Sequence, residues 1–310
     1  MTDKSQNRGA EADERRRTPG EPSDSGSAAP IRRTGDDERV RAAIRSELRG
    51  DKEPNEQPTA EYRAQAANKV VQLDHIFLEF EHPILQDVSF EGLEGETIVI
   101  AGESGTGKST ILKLLLRLLV PDRGEVYIDG EEITKLNFSD ALKVRQKMGM
   151  VFQGAALFDS LTVHENIAYP LREHTGLTDE EIEVRVREKL NFVDLDADRV
   201  MDQMPSDLSG GMRKRVGIAR GMANNPKIML YDEPTSGLDP LTTATITHLI
   251  IKLQRELGVT SIVVTHDIRS AFRMASKIAV LADRKICFFG TPEEMSGSDD
   301  KYLRDFLGGF

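Results

Sequence analysis

The chain has 310 residues, 38% of them hydrophobic and 30% charged, with a net charge of −11. An acidic chain of this kind is not held on nucleic acid by a general basic field, so no nucleic-acid partner is expected. The single cysteine, Cys287, excludes an intramolecular disulfide and a zinc site built from several thiolates.

The N-terminal residues carry no apolar core of the signal-peptide kind, which places the expected location in the cytoplasm. The first 58 residues hold five of the 13 prolines and no aromatic ring. Such a segment buries too little apolar area to offset its backbone entropy, so residues 1–66 are expected to form a tail without a core. Within it Val40, Ala43, Ile44 and Leu48 fall at helical spacing and predict a short amphipathic helix over 38–49.

From about Val70 the texture changes. Val70–Phe80 and the apolar run Glu96–Ala101 read as strands, and helical periodicity follows over Lys108–Leu119. No apolar run reaches the roughly 18–20 residues that span a bilayer. The most leucine-rich stretch is broken by Lys113 and Arg117, and its residues Leu114–Leu119 are expected in the core. Further strands are predicted at Gly124–Ile128, Ile228–Asp232, Ser261–Thr265, Lys277–Ala282 and Lys285–Phe289. Helices are predicted at Val163–Glu173, Thr178–Leu190, Ser209–Ala223 and Leu241–Leu257. Strands alternating with helices give an α/β domain with a largely parallel sheet. The helices crowded between 160 and 223 predict an inserted helical subdomain.

Gly102-Glu103-Ser104-Gly105-Thr106-Gly107-Lys108-Ser109 matches G-x-x-x-x-G-K-[ST] at every fixed position, between a predicted strand and a predicted helix. Glycines let the backbone wrap a polyphosphate closely, and the exposed amides with the helix N-terminus supply partial positive charge. Lys108 is then the partner of the β- and γ-phosphates of a nucleotide and Ser109 a ligand of Mg²⁺, with Thr110 following in the same binding segment. A second half-site comes from Lys227–Pro234, where an apolar strand delivers Asp232 and Glu233 at its carboxyl end. Neighbouring side chains on a strand point apart, so Asp232 is expected at the metal and Glu233 at the attacking water.

Together with these motifs, Leu208-Ser209-Gly210-Gly211-Met212 resembles the LSGGQ signature of the ATP-binding-cassette (ABC) ATPases, with Met where Gln is usual. Gln153 resembles that family's Q-loop glutamine, Ser236–Asp239 its D-loop, and His266 in Val-Val-Thr-His-Asp its switch histidine. Phe80 is the candidate for stacking on adenine, with His82 and Phe77 as alternatives. The resemblance covers residues 67–310. It implies a P-loop NTPase with a RecA-like parallel-sheet core (67–155 and 222–310), an antiparallel β region and a helical subdomain (156–221).

It also implies that two copies pair head to tail around two ATP molecules, each phosphate loop facing Ser209, Gly210 and Gly211 of the other copy, with Asp239 beside them. In that scheme Glu233 polarises water, His266 contacts the γ-phosphate, and Gln153 senses the metal and links the site to a permease. Met212 lacks the side-chain amide usual at its position. His75, His164, His174 and His248 have no partners at metal spacing and read as surface or structural, and Cys287 as a small buried hydrophobe.

Phe158–His174 and Tyr302–Phe310 resemble the ATPases of lipid transporters associated with MCE-domain proteins, the Mla type. That resemblance implies a peripheral subunit at the cytoplasmic face of the inner membrane, partnered by a transmembrane permease and an MCE-domain protein. Other ABC importers or exporters, for an amino acid or a lipoprotein, are the alternative, followed by ABC proteins outside transport and a non-hydrolysing scaffold. The permease is expected to insert a short helix into a groove lined by Ala155–Asp159 and the helix from Val163, with Leu157 and Phe158 as exposed anchors.

Overall fold

The computed structural model describes residues 68–308. The expected tail and its 38–49 helix lie outside them. Two sheets organise the described chain. The first is antiparallel, in the order β2-β1-β4-β5, formed by β1 (Lys69–Glu79), β2 (Pro83–Leu93), β4 (Arg123–Ile128) and the two-residue β5 (Glu131–Glu132). The second runs β10-β9-β3-β8-β7-β6, using β3 (Thr97–Ala101), β6 (Met148–Val151), β7 (Ile228–Asp232), β8 (Thr260–Thr265), β9 (Lys277–Ala282) and β10 (Lys285–Gly290). It is parallel except for β10, which pairs antiparallel with β9.

The central strands explain their own composition. Every residue of β3 and β8 is buried, because both sheet faces are covered and alternation therefore brings no polar residue outward. Val99, Met229, Tyr231 and Val263 belong to one apolar cluster. Ile98, Ile100, Leu230, Ile262 and Val264 belong to the other. The first is completed by α3 (Val163–His174), α4 (Asp179–Phe192), α6 (Gly210–Gly221), α7 (Pro240–Leu257) and α8 (Ile268–Met274); the second by α1 (Lys108–Leu115) and the antiparallel sheet. The helices α2 (Phe138–Arg145), α5 (Ala197–Val200), α9 (Pro292–Ser296) and α10 (Lys301–Gly308) complete the described chain.

β2 escaped the sequence pattern because its alternation is broken. Leu85 and Val88 are both buried yet three residues apart, and Asp87 between them takes a left-handed φ of 59°. The paired strand carries the matching irregularity, with His75 at φ 49° between Leu73 and Ile76. The His75 Nδ1 lies 2.6 Å from Asp87 Oδ1 across the two bulges, and that hydrogen bond holds the His75 pKa above its usual value. The edge strand β6 escaped for another reason: Met148-Gly149-Met150-Val151 has one β-branched residue in four.

Helix α1 ends four residues earlier than its periodicity predicts. Arg117 adopts φ 53° and its guanidinium donates to the carbonyls of Ile133 and Leu136. The core expectation for 114–119 therefore holds for Leu114 and Leu115, whereas Leu118 beyond the turn is exposed. The caps of α3 and α4 follow the sequence, with Thr162 paired to Glu165 and Thr178 to Glu181 in capping boxes.

Candidate nucleotide-binding site

The carboxyl ends of β3, β7 and β8 bring the phosphate loop, Asp232, Glu233 and His266 to one edge of the parallel sheet, where open α/β folds bind ligands. Gly107 starts α1 at φ 102°, a conformation strained for any residue with a Cβ. A Cβ on Gly102 would lie 2.4 Å from the Leu281 carbonyl oxygen, so only glycine lets the loop pass β9. Glu103, Ser104 and Gly105 are exposed at the loop's crest, and Thr106 Oγ1 donates to the Glu103 carbonyl at 2.9 Å. The Thr110 amide donates to the Gly107 carbonyl in the first turn of α1.

Lys108 is 6% exposed and its ammonium donates to the carbonyls of Gly102 and Glu103 at 2.9 and 2.7 Å. Burial pushes its pKa down, opposed by the charges of Glu233 and Asp232. The Ser109 hydroxyl donates to Asp232 Oδ1 at 2.7 Å. Among the described residues no cluster of three His, Cys, Asp or Glu side chains forms a metal cage. Ser109 and Asp232 instead present two oxygens side by side, which fits Mg²⁺, a cation that takes few protein ligands and fills its shell with phosphate oxygens and water.

Glu233 sits at φ 48°, its amide donating to the Val264 carbonyl at 2.9 Å. A non-glycine residue held in the left-handed region stores strain, a feature that clusters at functional sites. The turn aims the carboxylate at His266, whose Nδ1 lies 2.8 Å from Glu233 Oε2. Gln153 is exposed after β6, with Nε2 donating to Ser236 Oγ at 3.4 Å. Phe80 is 63% exposed just past β1. The chain then turns into β2, whose Ile84 and Leu85 crowd Gly107, so Phe80 lies close in sequence to the floor of the loop. Of the alternatives, Phe77 has its ring covered by the Arg123 guanidinium at 4.1 Å, while His82 is exposed.

Ser209 caps α6, its hydroxyl accepting from the Met212 amide at 3.2 Å. A Cβ on Gly210 would approach Leu238, and one on Gly211 would lie 2.5 Å from Thr242 Cγ2. The signature segment therefore packs on the D-loop side of its own chain. Met212 is half-buried against the core. Asp239 caps α7, accepting from the amides of Leu241 and Thr242 and from the Thr242 hydroxyl. The hydroxyl bond, with the amides, holds its carboxyl below the usual range.

Some side chains differ from expectation or escaped it. Cys287 is exposed rather than buried, because β10 is an edge strand. Of the two expected exposed side chains, Leu157 packs partly into the core and Phe158 is exposed. Beside Phe158 opens a groove of about 510 Å³, lined by Leu142, Phe152, Tyr169, Arg145 and Arg220 among others. Both guanidiniums bond backbone carbonyls, Arg145 those of Leu116 and Arg117 and Arg220 those of Ala155 and Ala156. Asn166, fully buried, holds the 158–162 loop through four hydrogen bonds to the backbone of Phe158, Leu161 and Thr162. Lys214 is buried against the backbone of Gln153 and Glu233. One polar residue among several on a helix gives no sequence signal for any of these contacts.

Residues 85–236 match a family model described as ABC transporter. The chain is 39% identical over 243 residues to the intermembrane phospholipid transport system ATP-binding protein MlaF of Escherichia coli (strain K12), covering 78% of this chain and 90% of that one. It is 40% identical over 226 residues to the probable ribonucleotide transport ATP-binding protein mkl of Mycobacterium leprae. That match covers 73% of this chain, which spans 65% of the length of that relative. Among solved structures, the dimeric post-hydrolysis ATP-binding cassette MJ0796 bound to ADP and Pi is similar at 37% identity with a TM-score of 0.66, covering 71% of this chain and 98% of that one.

Proposed function

The chain belongs to the ABC transporter family, and on that premise we propose that it is the ATP-hydrolysing subunit of an inner-membrane phospholipid transporter. The observation that carries the reading is the convergence of Ser109 with Asp232, and of Glu233 with His266, at one sheet edge beside Lys108. Amides of residues 102–110 cradle the phosphates of ATP, and Lys108 moves from the loop carbonyls to the β- and γ-phosphates. Ser109 and Asp232 would hold Mg²⁺, with Gln153, whose amide here bonds Ser236, as the further ligand in this reading. When bound, that ion neutralises phosphate charge. Glu233 takes a proton from the water that attacks the γ-phosphorus, and His266 orients Glu233 and contacts the γ-phosphate. Phe80 offers an exposed ring to adenine.

Phosphoryl transfer depends mainly on positioning and charge stabilisation, so residues of two chains can complete one site on closure. A second copy supplies Ser209, Gly210, Gly211 and the segment of Asp239. Residues 156–221 act as a helical subdomain inserted between 67–155 and 222–310. The groove beside Phe158 receives a segment of the permease, on the cytoplasmic face of the membrane. No helix among the described residues is long and apolar enough to cross a membrane, so in this reading spanning falls to that partner. The match along 90% of the E. coli MlaF chain, named for intermembrane phospholipid transport, supports phospholipid as the cargo; an MCE-domain protein is the further partner in this reading. Purification of the intact complex from membranes, followed by mass spectrometry of subunits and bound small molecules, tests this. Phospholipid with a permease and an MCE-domain protein supports it; ribonucleotide, amino acid or lipoprotein cargo contradicts it.

A further inference from the structure

We propose that Lys214 is a positioning residue for ATP hydrolysis, its ammonium tying the backbone of Gln153 to that of Glu233 so that movement of α6 is felt at both. The proposal rests on the ATPase reading above. Lys214 is 6% exposed, and its Nζ donates to the carbonyl of Gln153 and, at 3.3 Å, to that of Glu233. An ammonium has three donors and no acceptor, so it can serve two carbonyls from different segments at once. A buried charge is costly unless well paired, and here the carboxylates of Glu233 and Asp232 supply an opposing field.

The joined parts are those a hydrolysis cycle would have to coordinate. The carbonyl of Glu233 also accepts from the Ser236 amide, and its own amide is held by Val264. Lys214 therefore adds a third tie to a strained peptide whose side chain faces His266. On the other side, α6 follows the segment 153–156 along one face, at positions three residues apart. Lys214 meets Gln153, a Cβ on Gly217 would lie 3.1 Å from that of Ala155, and Arg220 bonds the carbonyls of Ala155 and Ala156. Ala155 and Ala156 both take left-handed φ values, 64° and 47°, so the segment holds its course against local preference.

Of these α6 contacts, the one through Lys214 also reaches Glu233. The same helix begins at the signature serine, Ser209, and its far end borders the groove through Arg220. A displacement of α6 from either end would thus re-aim the Glu233 turn and the Gln153 turn together.

The test compares wild type, Lys214→Met and Lys214→Arg, with Glu233→Gln as reference, by steady-state phosphate release, equilibrium ATP binding and thermal melting. We expect Lys214→Met to lower kcat by about tenfold or more with KM and ATP affinity within about twofold, and Lys214→Arg to recover part of kcat. Wild-type kcat in Lys214→Met overturns the proposal. So does a loss of kcat, affinity and melting temperature in step that Lys214→Arg does not relieve, which marks a purely structural lysine. If Lys214→Met does not fold, Lys214→Gln decides: reduced kcat at unchanged KM supports the proposal, and unchanged kcat overturns it. A wild type without turnover, or a Glu233→Gln variant as active as wild type, overturns the ATPase reading beneath it and the proposal falls with it.

Discussion

The Ser109 hydroxyl donates to Asp232 Oδ1 at 2.7 Å, although 123 residues separate the two in sequence. Ser109 lies in the first turn of α1 and Asp232 ends β7, so the contact fastens the start of a helix to the end of a neighbouring strand. It places two hard oxygen donors next to the Lys108 ammonium, an arrangement suited to a polyphosphate carrying a divalent cation.

Lys108→Ala removes a full positive charge from that cluster. ATP affinity of the purified chain is expected to fall by about tenfold to a hundredfold, the loss of one charge-assisted hydrogen-bonding partner. Equilibrium binding of a labelled nucleotide measures it, and unchanged affinity contradicts the phosphate-loop assignment.

Gly211→Ala puts a methyl group 2.5 Å from Thr242 Cγ2. Thr242 is β-branched and its hydroxyl is held by Asp239 at 2.5 Å, so it has little freedom to withdraw. The variant is expected to lose about 1–3 kcal/mol of stability by overpacking, read by chemical denaturation. Adding Thr242→Ser removes Cγ2 while keeping the hydroxyl, and should restore most of the loss. Failure of the double variant to recover would show that the clash lies elsewhere.

The elements legible in the sequence were those whose physics is local. The phosphate loop was readable because one glycine, lysine and hydroxyl pattern fixes both a backbone path and a charge. The predicted starts of α3, α4 and α7 fall within one residue of the observed ones, where Thr162, Thr178 and Asp239 each accept from an amide two or three residues on. Tertiary compensation hid the rest. The bulges at His75 and Asp87 shift the buried positions of β1 and β2 by one residue, and each bulge makes sense only opposite the other. Helix α1 stops at a turn secured by the carbonyls of Ile133 and Leu136, far along the chain. Cys287 looked buried from its apolar neighbours, but strand composition does not distinguish an edge from a centre. Lys214 belongs to no sequence motif, and its buried placement depends on two carbonyls distant in the chain.

Phe158→Asp tests the groove. The Phe158 ring is 44% exposed and packs on Tyr169 with centroids 5.2 Å apart, under the Arg220 guanidinium. A carboxylate there should leave folding, ATP binding and turnover of the isolated subunit close to wild type, while the permease no longer co-purifies. Full retention of the permease and of lipid transport would place the docking surface elsewhere.

The most direct test is phosphate release from Mg²⁺-ATP by the wild type and by Glu233→Gln, with the mass of each in solution recorded in the presence of ATP. Glutamine keeps the shape of the side chain but cannot take a proton from water. Wild type is expected to turn over; Glu233→Gln should bind ATP with similar affinity, release phosphate at least about a hundredfold more slowly, and accumulate as an ATP-bound dimer. Equal rates in the two proteins would contradict the account.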